Sequence, residues 1–272
     1  MTASAALTCE LDGRGVNRLS RLRSEGQLVL RPTHAKGFEP WAHSRGEVAR
    51  VSLSSGTAGP LGGDRLHLDV VIGDGASLVL NEISATLALP GTTGGRSLMS
   101  IDVRVGEGAT FIWLPEPVIA ARGCDHRQET RVRLAGSARF LLREELIAGR
   151  HGERPGTLAQ RVRATRGGGA LYDQELRIGA RHTGWDTPAV AGTAGCVGNT
   201  LVVDPGSTIG TGTAAPGTRS DVVDGSTALM GIAPDTVQIS SVGRDNLAVS
   251  RSTSAALEML GPPWSPDRDG DP

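Results

Sequence analysis

The chain has 272 residues with a formal net charge of −1, 38 glycines and only 3% aromatic residues. So small a net charge excludes the broad positive field typical of nucleic-acid-binding proteins, and the lack of an apolar stretch of about 18 residues predicts no membrane span. Residues 1–14 lack the charged and then apolar pattern of a secretory signal, and three scattered cysteines indicate no disulfide framework. We therefore expect a cytoplasmic protein that binds no nucleic acid and no membrane, built from many turns and short strands because glycine is abundant.

The first sixty residues predict two short strands and a loop. Residues 1–15 are small and polar, and we expect them to be partly frayed. Residues 28–32 predict an early strand that ends at its proline, and residues 46–54 predict another short strand. Residues 54–63 are rich in serine and glycine, a composition typical of a loop.

The next part of the chain repeats one pattern, a strand, a tight glycine turn and a second strand. Clear copies span residues 68–80 and 101–113, and weaker copies span residues 132–142 and 162–172. In the clear copies, apolar residues alternate along the first arm as in a half-buried strand. The turns Gly-Asp-Gly and Gly-Glu-Gly supply the positive φ angles that tight turns need.

The spacing of these copies predicts a stacked architecture. Their aligned alanines, Ala76, Ala109, Ala138 and Ala170, lie 33, 29 and 32 residues apart. A nearly constant period of this size favours stacked β-hairpin or β-strand repeats, each burying one face against its neighbours. An ordinary β-sandwich, whose hairpins also resemble one another, is the alternative.

The last third of the chain carries weaker signals. Residues 200–203 form the clear strand core of a stretch rich in glycine and threonine, and residues 228–232 predict a short helical piece. Residues 237–242 alternate as a strand does, and residues 246–260 predict a helix because they lack glycine and proline. We therefore predict a mostly β fold with a few short helices, in a single domain over residues 1–260 followed by a disordered tail over residues 261–272.

Direct signals for catalysis are weak. None of the six histidines lies in a Gly-x-Ser-x-Gly context, although a triad assembled from distant residues stays open. Cys124 and His126 are close enough to share a Zn²⁺ or Ni²⁺ ion, but no second ligand pair accompanies them, so an incidental loop is the simpler interpretation. The glycine-rich segments 91–95 and 167–169 lack a following Lys-Ser/Thr and are interpreted as turns.

Charged residues recur on the repeat. Several acidic residues lie at its strand ends or loops, where they are either solvated or line an internal polar channel that offers oxygen ligands to a cation. Arginines alternate with apolar residues around positions 131–133 and 161–163, which marks the outer face of strands. This face is either simply solvated or contacts an acidic protein partner. Residue chemistry alone thus indicates a repeat-built β protein without a catalytic signature.

Several short sequence motifs, in a fixed order, resemble those of a known family. They are Gly-Gly-Asp-Arg-Leu at 62–66, Gly-Ala-Ser-Leu at 75–78, Glu-Gly-Ala at 107–109 and Trp-Leu-Pro-Glu-Pro at 113–117, followed by weaker matches through residue 179. Through these motifs the chain resembles the urease accessory protein UreD family, also called UreH, over about residues 25–260. It departs from the usual family pattern at residues 81–87, Asn-Glu-Ile-Ser-Ala-Thr-Leu, where the family's lysine position is Leu87. The resemblance is therefore to a divergent member.

The resemblance implies a function that residue chemistry alone does not. It implies a non-enzymatic scaffold of urease maturation with a stacked β fold, which holds no tightly bound cofactor but carries Ni²⁺ in transit. Its partners would be the urease structural subunits, a UreF-type accessory protein and, through that protein, a UreG-type GTPase that delivers nickel. An internal passage through the fold would conduct the ion toward the urease active site.

The matching motifs also give candidate site residues. Asp64 and Glu116 are candidates for lining the nickel passage, and Glu145 and Glu175 are further candidates. Arg150 and Glu153, in an exposed and glycine-punctuated loop, are candidates for partner contact. A purely structural role is the alternative for each of these residues; Glu116, for example, would cap backbone N–H groups in its turn.

A different class of function also stays open. A β-solenoid hydrolase would need two carboxylates, for which Asp64 and Glu116 are the candidates, held about 5–10 Å apart in an open cleft.

Overall fold

Two β-sheets that face each other make up most of the protein. The computed structural model describes residues 1–35, 39, 41, 48–92, 94–211 and 218–265. In chain order the elements are β1 (Thr2–Leu11), β2 (Asn17–Arg23), β3 (Leu28–Pro32), β4 (Ala49–Ser55), β5 (Arg65–Ile72), β6 (Ser77–Glu82), β7 (Thr86–Ala88), β8 (Ser97–Val105), β9 (Thr110–Leu114), β10 (Val118–Ala120), β11 (Asp125–Leu134), β12 (Arg139–Ile147), β13 (Thr157–Arg166), β14 (Gly169–Ile178), β15 (Cys196–Val203), β16 (Ser220–Asp224), β17 (Thr227–Ala233), β18 (Thr236–Gly243) and α1 (Asn246–Glu258). Among the described residues, no helix is long and apolar enough to cross a membrane.

The strands divide between the sheets in a regular order. The first sheet runs β14-β13-β11-β8-β5-β1-β2, and the second runs β16-β17-β18-β15-β12-β9-β6-β4-β3, with β10 and β7 attached beside β12. In the first sheet β1, β5, β8, β11 and β13 are parallel neighbours, and in the second β4, β6, β9 and β12 are. The outermost strands β2, β14, β3 and β16 each run antiparallel to their neighbour.

This topology confirms the predicted stacked β fold and excludes an ordinary antiparallel sandwich. In the first three copies of the pattern, the arm before the turn lies in the first sheet and the arm after it lies in the second. The arms therefore stack on the arms of neighbouring copies and do not pair with each other as hairpins. The fourth copy differs, because β13 and β14 pair antiparallel within the first sheet. Accordingly, Ala76, Ala109 and Ala138 are fully buried while Ala170 is exposed.

The glycine turns stack on one another through their acidic residues. Asp74 Oδ1 accepts a hydrogen bond of 2.8 Å from the backbone N–H of Glu107 in the next turn. The Glu107 carboxylate in turn accepts from the N–H groups of Gly136 (3.1 Å) and Ser137 (3.0 Å). A Cβ atom at Gly106 would lie 2.3 Å from Asp74 Oδ1, so glycine is required for this approach. The Asp and Glu of the repeated turns thus link successive layers.

The main core lies between the sheets, next to these turns. Phe111 packs between Trp113 and Phe140, with ring centroids 6.1 and 5.9 Å apart, and all three side chains are buried. The alternating apolar residues of the first arms, such as Leu68 and Val70, face them from the other sheet. Burial of this alternating face is what holds the parallel layers together.

A second apolar cluster covers the outer side of the second sheet. The predicted helix is confirmed as α1, and Asp245 caps it by accepting from the N–H of Ala248 at 2.9 Å. Ala256 and Leu257 of α1 pack with Trp264, whose indole N–H donates to Asp204 at 3.0 Å. Of the tail predicted to be disordered from residue 261, residues 261–265 are described and include this buried tryptophan, and the remainder lies outside the described residues.

Two predictions for local structure are wrong. The predicted frayed segment 1–15 contains β1, which lies between β2 and β5 with Leu7 and Cys9 completely buried. Its small residues alternate inward and outward, a pattern hidden by their low hydropathy. The predicted helical piece at 228–232 is strand β17, which pairs antiparallel with both β16 and β18. Pairing on both sides outweighs the weak local helix signal.

Candidate functional site

A cavity of about 80 Å³ lies between the sheets, at the end of the layers opposite to the glycine turns. Its lining is polar. The starts of the first-sheet strands contribute His126, Gln128 and Gln160, and the ends of the second-sheet strands and the segments after them contribute Glu82, Glu116, Glu144 and Glu145. The interior of the stack is therefore apolar beside the turns and polar at the other end.

The second sheet opens beside this cavity. The last row paired across all three strands before the break is Leu80, Trp113 and Leu142, and the first such row after it is Thr86, Val118 and Leu146. Between these rows β12 has three residues, the path from β9 to β10 has four, and the path from β6 to β7 has five. Because paired strands need equal numbers of residues to stay in register, the longer segments bulge apart. We call the gap at residues 82–85 and 115–117 the sheet opening.

Glu82 and Glu116 lie at the sheet opening. Both residues line the inner cavity, and both also line a recess of about 210 Å³ on the other side of the second sheet. His34 and Arg143 lie on that outer recess. The two carboxylates therefore stand between the interior of the stack and its surface.

Burial changes the acidity of the glutamates at this end of the stack. Burial raises the pKa of Glu82 to about 8, with a further rise from the charges of Glu116 and Glu144, although the backbone N–H of Glu116 donates to its carboxylate. Burial likewise raises the pKa of Glu144 to about 7, against hydrogen bonds from Gln128 (3.1 Å) and Thr130 (3.5 Å). Both carboxyl groups are thus partly protonated near neutral pH and change charge readily.

Glu145 is buried and linked to the helix and to a nearby cation. Arg143 Nε lies 3.6 Å from Glu145 Oε1, and the side-chain amide of Asn246 at the start of α1 donates to Glu145 Oε2. Burial raises the pKa of Glu145, Arg143 opposes that rise and Glu116 adds to it. Since Arg143 also lines the outer recess, one positive charge already stands beside the acidic opening.

His126 offers a neutral nitrogen to the cavity. It is 1% exposed, and its Nδ1 lies 2.9 Å from Ser97 Oγ, while Nε2 has no hydrogen-bond partner among the described residues. Burial lowers the pKa of this imidazole to about 4, so the ring is uncharged at neutral pH. The Cys124 thiol instead donates toward Thr157 O at 3.6 Å, so the Cys-Asp-His sequence does not converge on one point.

The candidate passage residues fall into two groups. Glu116 and Glu145 line the cavity. Asp64 is 4% exposed and accepts from the Met1 ammonium (2.7 Å), Gln27 Nε2 (2.8 Å) and the Leu61 N–H (2.9 Å). Asp64 thus anchors chain segments beside the cavity and does not line it.

Glu175 lies on the opposite side of the molecule from the sheet opening. It is on the outward face of the first sheet, paired with Arg127 and Arg177, each at 2.7 Å. Those two cations hold its carboxylate away from the interior.

The candidate partner-contact loop satisfies its own charges. Glu153 accepts from the backbone N–H of Arg150 (2.9 Å), from its guanidinium (2.9 and 3.0 Å) and from the N–H of Arg122 (3.1 Å). These bonds, led by the Arg150 side chain, lower the pKa of Glu153 to about 2. The loop therefore presents a fixed shape, with the Arg150 side chain about half exposed.

Sequence reasoning did not single out Glu82, and it considered Glu144 only as one of several acidic residues of the repeat that are either solvated or line an internal polar channel. Glu82 lies in the segment that departs from the family pattern and therefore belongs to no matching motif. Glu144 alternates with the buried Leu142 and Leu146, and that alternation was the available signal that its carboxylate points inward. His126 was considered only as part of a loop cluster. Among the described residues, no group of three or more His, Cys, Asp or Glu side chains is spaced to hold a metal ion.

Comparisons with known proteins identify the family of this chain. The family model described as UreD urease accessory protein matches residues 1–266. Urease accessory protein UreD 3 of Streptomyces griseus is 43% identical over 206 residues, covering 75% of this chain and 77% of that protein. The UreD proteins of Parafrankia sp. (38% identity, 95% and 88% coverage) and Streptomyces avermitilis (35%, 95% and 97%) match over nearly the full length. The chain therefore belongs to the UreD urease accessory protein family.

Proposed function

We propose that this protein is a scaffold of urease maturation that conducts nickel ions through its β-stack toward the urease apoprotein, and that it catalyses no reaction itself. Membership of the UreD family supports a role in urease maturation. The observation that carries the finer proposal is the sheet opening, where Glu82 and Glu116 connect the inner cavity with the outer recess.

The chemistry of the opening suits a divalent cation in transit. Carboxylate oxygens and a neutral imidazole are ligands that Ni²⁺ accepts. Conduction requires binding that is weak and spread over several positions, so that the ion leaves again. Glu82 and Glu144 hold protons near neutral pH and release them when a cation arrives, which keeps the empty passage from accumulating negative charge.

Arg143 completes the charge balance of the empty passage. Its guanidinium lies beside Glu145 and borders the outer recess. An arriving Ni²⁺ supplies positive charge beside these carboxylates, as Arg143 alone does in the empty protein.

The proposal includes the partners that the family resemblance implies. They are the urease structural subunits, a UreF-type accessory protein and, through it, a UreG-type GTPase, all acting in the cytoplasm. The protein itself holds no tight cofactor. The rigid Arg150–Glu153 loop is the candidate contact for one of these partners.

The hydrolase alternative has little support. It required Asp64 and Glu116 to face each other across an open cleft. Asp64 is instead enclosed, and its carboxylate is occupied by three hydrogen bonds. The relatives, moreover, are named accessory proteins, which is consistent with a non-catalytic role.

The test is urease activation in a host that carries the cognate urease and accessory genes. The double variant Glu82→Gln and Glu116→Gln replaces both carboxyl groups of the sheet opening with amides of the same size. We expect the complex with urease to form normally while the nickel content and activity of urease fall. Glu258→Gln, at the exposed end of α1 and away from both the sheet opening and the first sheet, is the control and should leave both unchanged.

Three results would count against the proposal. Active, nickel-loaded urease in the absence of this gene would remove the role in maturation. Full nickel loading with the double variant would remove the sheet opening from the ion route. Loss of complex formation in the double variant would show that these glutamates have a structural role and do not conduct the ion. Nickel content is measured by elemental analysis of the purified urease, and complex formation by co-purification.

A further inference from the structure

The outward face of the first sheet carries an unusual set of arginines. Along its seven strands, the residues that alternate with the core include eleven arginines: Arg18, Arg21, Arg23, Arg65, Arg104, Arg127, Arg131, Arg133, Arg161, Arg163 and Arg177. The same face carries seven carboxylates: Glu10, Asp69, Asp102, Asp125, Glu129, Asp173 and Glu175. This arginine face thus has four positive charges in excess on a chain whose net charge is −1.

The ion pairs within the face do not use all of its positive charge. Some pairs are close, such as Arg104 with both oxygens of Asp69 at 3.0 and 3.2 Å. Arg133, however, reaches Asp102 only at 3.9 Å, and neither Arg21 nor Arg65 has an ion-pair partner within 4.0 Å among the described residues. Unpaired guanidinium groups on a rigid sheet are available to an external anion.

Half of this excess lies in one concave area. A concavity of about 490 Å³ on this face is lined by four arginines, two aspartates and one histidine among its ten residues. Its arginines come from β2, β8 and β11, namely Arg21, Arg23, Arg104 and Arg133. Their charges therefore converge from three strands on one site.

The composition of the face favours a protein ligand over a nucleic acid. Among the described outward residues of the first sheet there is no phenylalanine, tyrosine or tryptophan on which a base would stack, and the His67 ring lies 3.1 Å from Ser100 Oγ. Single-stranded nucleic acids are typically bound on platforms of several aromatic rings. The interleaved aspartates and glutamates would repel a continuous row of phosphates. They suit a partner surface that is mainly acidic but carries some cations of its own.

We infer that the arginine face is a docking surface for an acidic protein surface. Resting on the proposed function, we assign the urease apoprotein as its occupant. The inner cavity lies between the sheets, and the sheet opening and the outer recess belong to the second sheet. Docking on the outward face of the first sheet therefore leaves the outer recess free.

The test compares two double variants with the same change of charge. Arg21→Gln with Arg133→Gln neutralises two exposed arginines of the concavity that have weak or no ion pairs. Arg31→Gln with Arg251→Gln neutralises two exposed arginines outside the first sheet, on β3 and α1. Circular dichroism spectra and melting temperatures of both variants should equal those of the wild type. Affinity for purified cognate apo-urease is then measured by biolayer interferometry at low and high salt.

We expect the concavity variant to bind apo-urease about five- to tenfold more weakly at low salt, because two charge contacts are lost. Its affinity should also depend less on salt, and the control variant should bind as the wild type does. Equal binding by both variants, or an equal loss in both, would overturn the assignment. Tight binding of a single-stranded oligonucleotide that needs the same arginines would overturn it in favour of nucleic acid. No binding of wild-type protein to apo-urease would overturn the proposed function as well.

Discussion

Asp64 gives the sharpest test of whether a candidate carboxylate stabilises the fold or conducts the ion. Its oxygens accept from the Met1 ammonium, Gln27 Nε2 and the Leu61 N–H within 2.7–2.9 Å. Replacement by alanine leaves the buried Gln27 amide and the Leu61 N–H without their acceptor. We therefore expect Asp64→Ala to destabilise the fold, with a fall in nickel delivery only as a consequence of that loss.

The magnitude follows from the contacts. Removing one partner of a buried charged network typically costs about 3–5 kcal/mol, and two unsatisfied donors at about 1–3 kcal/mol each give a similar sum. At about 2–3 °C per kcal/mol for a chain of this size, the melting temperature should fall by about 10 °C. Asp64→Asn keeps an acceptor oxygen and should lose less than half of that.

Thermal unfolding followed by circular dichroism measures the effect. Asp173→Ala, at an exposed ion pair on the arginine face, is the control and should shift the melting temperature by less than about 2 °C. Although burial tends to raise the pKa of Asp64, its hydrogen bonds prevail and lower it. Its stabilisation is therefore present above the unfolded pKa of about 3.9 and is lost as pH falls through the lower folded pKa. An Asp64→Ala protein that melts like the wild type but leaves urease without nickel would refute this reasoning.

Three further predictions concern burial. Glu82 has a pKa of about 8 in the folded protein against an ordinary 4.5, so its ionisation favours unfolding as pH rises between these values. The melting temperature of Glu82→Gln should therefore exceed that of the wild type at pH 8.5 and equal it at pH 4.5. A difference in melting temperature that does not depend on pH would contradict this. Trp264→Ala, which empties a buried site and frees Asp204, should reduce the free energy of urea unfolding by about 3–5 kcal/mol, and a loss below about 1 kcal/mol would show that residues 261–265 do not hold the helix. The three cysteine thiols, of Cys9, Cys124 and Cys196, are buried, and their pKa values are raised to about 11 or 12. They should therefore react with a thiol reagent at pH 8 only on unfolding. Rapid labelling of the native protein would disprove their burial.

The stacked architecture was predictable because its signal is local and repeated. Alternating apolar arms and glycine turns at a steady period require only that each layer bury one face. The pairing of the arms was not predictable, because a strand, a turn and a strand also describe a hairpin. Only the partner strand, about thirty residues away, distinguishes the two, and Ala170 follows the period in sequence but not in space.

The candidate site was predictable only in part, for a physical reason. The sheet opening arises from unequal numbers of residues between paired rows on three separate segments, and no single segment reveals that mismatch. Glu116 was found through its motif, while Glu144 was one of several acidic residues of the repeat and matched no motif. Asp64 matched a motif equally well, yet its hydrogen bonds come from Gln27 and Leu61, contacts that no local pattern predicts.

The four reversed strands at the margins of the two sheets have a consequence for assembly. Parallel layers in register could in principle be extended by another copy of the same chain, which is how β-rich proteins grow into fibres. Here each outermost strand runs against its neighbour, and β2 also carries the charged residues Arg18, Arg21 and Arg23. The parallel run of strands therefore ends within the chain, and these four margins are made by strands that do not belong to it. The number of parallel layers is therefore set by where the chain turns back.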